Sequence, residues 1–197
     1  RRLLPAYFLN SLANALPATL FLFFVEHYLQ LTPYMGVLLL GFFLSGILAL
    51  PLWVRLAKRF GKYSAWRLSM LSACLSFVWV FSLAPGNLWG FALICLFSGL
   101  SVAADVALPA SIQADIAQDL SRENGNMSGV LFAVWGVLTK LALALAVGLA
   151  LPALGWLGWE QQSAASLQGL LWLYAGAPVA LKLMTLYWLR RADTLAN

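Results

Sequence analysis

Six stretches of this chain stay apolar for about twenty residues at a time, and that repetition leaves few folds open. A helix of twenty residues rises about 30 Å, the thickness of a bilayer's hydrocarbon core. Strands of a membrane barrel would alternate polar and apolar over roughly ten residues. These stretches are apolar throughout, so they predict helices, over residues 4–25, 34–54, 64–83, 88–112, 127–151 and 167–189. Hydrophobic residues make up 62% of the chain and charged ones 10%, against about 45–50% and about 25% in soluble domains. The expected fold class is all-α: a polytopic membrane protein of six transmembrane helices, forming a single bundle over residues 1–197 with the lipid bilayer as its solvent.

The net charge of +5 invites a nucleic-acid partner, but the placement of the charges speaks for topology instead. Arg1, Arg2, Arg55, Lys58, Arg59, Lys62, Arg67, Arg122, Arg190 and Arg191 lie at span ends that share one side after six crossings. The other side has Glu26, His27, the turn Ala84-Pro85-Gly86-Asn87 and Glu160, with no Lys or Arg. This asymmetry places both termini in the cytoplasm of a cell-membrane protein, and no nucleic acid is expected. Cys74 and Cys95 sit in mid-span and read as packing residues. The polar segment 113–125 reads as a loop with room for a short surface helix. Trp156 and Trp159 suit an interfacial aromatic belt. The chain opens on Arg1-Arg2 without an initiator methionine and reads as a piece of something longer.

Two further basic residues lie inside spans. A lysine at a membrane helix centre costs about 2.5–3.5 kcal/mol. Lys140 is about a dozen residues from either end of its span, roughly 18 Å by helix rise, too far for its side chain to reach the interface. Gly129, Ala133, Gly136, Lys140 and Ala144 fall on one helical face, because each is three or four residues from the next. So smooth a face lets another helix approach closely. The arrangement suggests a charge in a cavity and, most simply, a transporter of a small-molecule solute. Asp105, inside the fourth span, needs a cation, a donor or a proton. Lys182 lies at similar depth in the sixth span, where it can pair or snorkel to the near face. Asn10 and Asn14, one turn apart beside Ser11, can bond a neighbouring helix or a solute, and Pro17 is expected to kink or unwind their helix. Trp135, near the cavity level of the fifth span, can stack on a sugar ring, though such a residue more often packs or faces lipid. His27 reads as a hydrated interfacial residue.

Two segments carry a family resemblance. PLWVRLAKRFGKYSAWRL resembles the cytoplasmic connection within each half of major facilitator transporters. ADVALPASIQADIAQ followed by GVLFAVWGVLTKLALALAVG resembles the tenth and eleventh helices of the glycoside–pentoside–hexuronide:cation symporters, the melibiose-permease type. Ala114-Asp115 matches the Ala-Asp pair closing the tenth helix, and Lys140 the lysine of the eleventh. The resemblance covers essentially the whole chain as a carboxy-terminal six-helix half. It implies cation-coupled symport, with sodium or a proton, of a sugar or related solute. It implies a missing amino-terminal six-helix partner that supplies the acidic cation ligands. It places Lys140 near the cation site and gives Asp115, with Arg59 and Lys62 nearby, a role in gating or holding the cytoplasmic end. The acidic residue usual in the connecting loop is absent; Lys58 and Arg59 stand in that region.

An enzyme embedded in the membrane would need paired acids, a Ser–His pair or a metal cluster. No such motif occurs, so no enzymatic activity, catalytic residue or metal site is expected. No phosphate-binding Gly-rich loop occurs either. The remaining alternative is a non-transporting or self-dimerising six-helix membrane protein.

Overall fold

The computed structural model describes residues 3–124, 128–157, 159 and 164–193. Arg1, Arg2 and Glu160, which entered the topology argument, lie outside the described residues, as do the side chains of Arg122 and Arg191. Among the described residues all regular secondary structure is helical. Helix α1 runs Leu3–Phe23, α2 Met35–Phe60, α3 Lys62–Val80, α4 Leu88–Asn124 and α5 Ser128–Trp156. The last crossing is α6 (Ala164–Leu171), a π-helical turn at Trp172–Gly176, and α7 (Ala177–Asp193). A matching π-helical turn, Phe24–Tyr28, extends α1. Among the described residues, five stretches are long and apolar enough to cross a membrane: Leu3–Tyr28, Thr32–Phe60, Leu88–Leu120, Gly129–Trp156 and Ala164–Arg190. Helix α3 is the sixth long helix; its serines lower its hydropathy, and Ser69 and Ser76 are buried against its neighbours.

The helices outrun the hydropathy signal. α4 does not stop at residue 112: segment 113–124 continues it without interruption to Asn124, where a loop was expected. No Gly or Pro separates Pro109 from Gly125, and Ala, Gln, Leu and Glu are sound helix formers. α2 likewise carries Arg55, Lys58 and Arg59 in its last turns. It stops only at Gly61, whose φ of +85° is open to glycine and closed to most side chains. α1 runs unbroken through Pro17; the irregular turn comes later, at Phe24–Tyr28.

The two linkers at the opposite end are tied together. The Gly86 amide donates to the Leu29 carbonyl at 2.8 Å, so the α1–α2 and α3–α4 connections support each other. Asn87 caps α4, its Oδ1 accepting from the Gly90 amide at 3.0 Å.

Packing runs α2 on α4, α4 on α3, α3 on α7, α7 on α1 and α1 on α5. The α2–α4 crossing is glycine-mediated. A Cβ on Gly99 would stand 2.2 Å from the Phe42 carbonyl oxygen and from Ser45 Oγ, so only glycine lets these backbones meet. Two apolar cores result. One, toward the Gly86 end, centres on Phe24, Leu20, Phe91, Val80 and Tyr174. There Phe24 and Tyr174, one from each π turn, stack with centroids 4.1 Å apart and planes 2° from parallel. The other, toward the basic end, centres on Trp66, Trp53, Met70, Ile112 and Leu186.

Candidate functional site

Between the two cores lies a polar cluster. Lys182 Nζ donates to Asp105 Oδ2 at 2.6 Å and to Asn10 Oδ1 at 3.0 Å. Trp66 Nε1 donates to Asp105 Oδ1 at 3.1 Å and Asn14 Nδ2 to Oδ2 at 3.2 Å. The Ser69 hydroxyl also approaches Oδ1, at 3.4 Å, but its single proton has a closer acceptor in the Trp66 carbonyl at 2.8 Å. Four helices, α1, α3, α4 and α7, thus converge on one carboxylate. Lys182 and Asp105 are 0% and 4% exposed and Asn10 1%. A charge so placed is tolerable only when paired and hydrogen-bonded, and here both oxygens of the carboxylate are used.

This arrangement resolves the alternatives left open for the in-span charges. Lys182 does not snorkel; it turns inward and pairs with Asp105. Asn10 serves Lys182 and is closed to any solute in this conformation. Asn14 keeps one foot in the cluster and is only partly buried. Pro109 stands one turn after Asp105 and cannot donate to the Asp105 carbonyl, so α4 lacks one helical bond at the level of the cluster.

Lys140 is elsewhere. α5 buries Ala142, Ala146, Ala150 and Leu154, and the side bearing Gly129, Ala133, Lys140 and Ala144 is exposed. Nothing lies within 4 Å of where a Cβ on Gly129 or Gly136 would sit. The lysine therefore faces away from this bundle's interior, on a smooth face that no described residue covers. Trp135, half-buried, lies flat on Tyr7 with centroids 3.5 Å apart, and the Tyr7 hydroxyl meets Thr139 Oγ1 at 2.7 Å. One side of the Trp135 ring is thus already occupied.

At the basic end, Lys62 opens α3 and bridges to Asp115 of α4 at 2.5 Å. Both side chains are substantially exposed, so the pair adds little stability alone. Arg59 is exposed and rests over the Phe60 ring, 5.2 Å from its centroid. Among the described residues no three His, Cys, Asp or Glu side chains converge as metal ligands would.

Beside the polar cluster is a cleft of about 370 Å³, bounded by α1, α2, α3, α4 and the second π turn. It exists because α1 and α4 barely touch, while α2 leans on α4. Its wall is largely aromatic and aliphatic: Phe21, Phe42, Phe43, Phe77, Leu22, Leu39 and Val102. The polar side chains on it are Asn14, Ser98 and Tyr174, and Ser98 gives its proton to the Cys95 carbonyl at 3.2 Å.

Trp66, Ser69 and the cleft were not singled out in the sequence. The available signal was a Trp and a Ser three residues apart on α3, a polar stripe on an otherwise apolar helix.

A family model described as MFS/sugar transport protein matches residues 1–194. The chain belongs to that family. The major facilitator resemblance drawn from the sequence is thereby confirmed at the level of the family, and the protein is a multi-pass membrane member of a transporter family. It is similar to the human sodium-dependent lysophosphatidylcholine symporter 1, with 28% identity over 162 residues, 81% of this chain and 30% of that protein. The mouse protein of the same name is 27% identical over 164 residues, 82% of this chain and 30% of its own length. The sphingosine-1-phosphate transporter MFSD2B of Xenopus tropicalis is 26% identical over 152 residues, 75% of this chain and 29% of its length. The chain thus spans about three-tenths of the curated relatives it matches. Their names are those of transporters, and the solutes in them are lipids, where the sequence led us to expect a sugar or related solute.

Proposed function

We propose that this chain is one six-helix half of a sodium-coupled symporter whose solute is a single-chain amphiphile. The observation that carries the solute reading is the cleft. A sugar requires several donors and acceptors aimed at its ring hydroxyls, whereas this wall is dominated by phenylalanines. An alkyl chain gains about 0.8 kcal/mol for each methylene it buries, and such a wall offers that burial. The lipids in the relatives' names, and the sodium dependence in the name of the lysophosphatidylcholine symporters, support the same reading. The uncovered α5 face supports a second six-helix bundle as its partner, against which this one rocks in alternating access. Lys140 then faces that partner across the cavity and balances its carboxylates. The gathering of basic residues at the end opposite the Gly86 turn supports cytoplasmic termini in the cell membrane.

The test is uptake by the full-length protein in proteoliposomes under an inward sodium gradient. A lysophospholipid and a galactoside are offered separately. Sodium-driven accumulation of the lysophospholipid alone is expected. Accumulation of the galactoside without the lipid would overturn the solute reading, and gradient-independent lipid uptake would overturn the coupling.

A further inference from the structure

Asn14 stands where the polar cluster meets the cleft. Its Nδ2 donates to Asp105 Oδ2, and an ionised carboxylate opposite Lys182 can only accept. The nitrogen is therefore the end held by the cluster, and because Asn14 also lines the cleft, the carboxamide oxygen is the end of this side chain available to a ligand there. No described residue donates a hydrogen bond to that oxygen. Donation to a carboxylate also draws electron density toward Oδ1 and makes it a stronger acceptor. The amide is already fixed in place, so little ordering remains when a ligand binds.

We propose that Asn14 is the residue by which the cleft selects its solute: Oδ1 accepts from a hydroxyl or N–H carried at the head of an apolar chain. The inference rests on the amphiphile reading above and narrows it. An ester carbonyl, a phosphodiester oxygen or a quaternary ammonium brings no donor, and each would leave Oδ1 unpaired in apolar surroundings. A free hydroxyl near the head of the chain satisfies Oδ1 while the chain lies along Phe21, Phe42 and Phe77. Lysophosphatidylcholine and sphingosine-1-phosphate, the lipids in the relatives' names, both carry a free hydroxyl beside the chain.

The test compares two single-chain phospholipids that differ only at the glycerol hydroxyl, free in one and capped as a methyl ether in the other. Equilibrium binding is measured on the full-length protein in detergent, and sodium-driven uptake in proteoliposomes. The wild type is expected to bind the free-hydroxyl lipid about tenfold more tightly. Asn14→Ala is expected to bind both with the wild type's affinity for the ether. Asn14→Gln keeps the amide but moves its oxygen by one methylene; it must lower the ratio too, and it decides if Asn14→Ala does not fold. Equal affinity of the wild type for the two lipids overturns the assignment while leaving sodium-driven lipid uptake intact. A tenfold preference retained in Asn14→Ala overturns it as well. Absence of sodium-driven uptake of either lipid by the wild type refutes the proposed function itself, and the assignment with it.

Discussion

Lys182 and Asp105, 77 residues apart in sequence, meet through a 2.6 Å contact between side chains that are 1% and 0% exposed. Removing either partner alone strands a charge in a dry interior, at a cost of about 3–5 kcal/mol. Lys182→Met and Asp105→Asn are each expected to lower the melting temperature of the detergent-solubilised protein sharply. The double variant should recover a large part of the loss, because two neutral groups replace the stranded charge. Additive losses in this double-mutant cycle would mean that the two charges are not coupled.

Lys140 should behave in the opposite way. It receives no ion pair from the described residues and lies on an exposed face, so Lys140→Ala is expected to leave melting temperature and membrane insertion unchanged. Sodium-driven uptake by the full-length protein should nevertheless fail if Lys140 balances carboxylates of a second bundle, as proposed above, because those carboxylates lose their counter-charge. Lys140→Arg should also be impaired, since a planar guanidinium does not reproduce an ammonium's geometry. Normal ion-driven uptake by Lys140→Ala would remove the lysine from the mechanism.

Two glycines offer a contrast. Gly99→Ala sets a methyl group against the Phe42 carbonyl and Ser45 Oγ and should destabilise by about 1–3 kcal/mol through overpacking of the α2–α4 crossing. Gly136→Ala meets nothing within 4 Å in this bundle and should leave its stability untouched. If a second bundle lies on α5, the same Gly136→Ala should weaken co-purification of the two halves expressed as separate chains. Unaltered co-purification would place the contact elsewhere.

Topology is testable at the exposed turn. Ala84→Cys should react with a membrane-impermeant maleimide added outside intact cells, against a quiet background because Cys74 and Cys95 are both buried. Labelling only after the membrane is opened would invert the orientation.

The number of crossings and the Ala84–Asn87 turn were legible because apolar length and Pro-Gly chemistry are local. Helix ends were legible only where a breaker coincided with the membrane edge. α4 ran on to Asn124 because hydropathy measures membrane, while helix formation depends on propensity and on breakers. Lys140 drew notice because its neighbours are uniformly apolar, yet it is Lys182 that enters the core. Which in-span charges meet depends on the rotation and depth of helices that are distant in sequence, and neither is written in a single helix's pattern. Trp66 and Ser69 became visible as carboxylate partners only once α3 was set against α4. Asn10 and Asn14 look alike in the sequence, but one turn of helix separates a residue buried against Lys182 from one at the cleft.

The polar cluster also has an electrical consequence. A membrane potential of 100 mV acts on each elementary charge moved fully across it with about 2.3 kcal/mol. Lys182 and Asp105 are opposite in sign and in direct contact, so a rigid displacement of this bundle carries no net charge at that level of the field. The interior is electrically silent. In the proposed transport cycle, voltage dependence must therefore arise from the coupling ion, from Lys140, or from charges that change partners as the cycle turns.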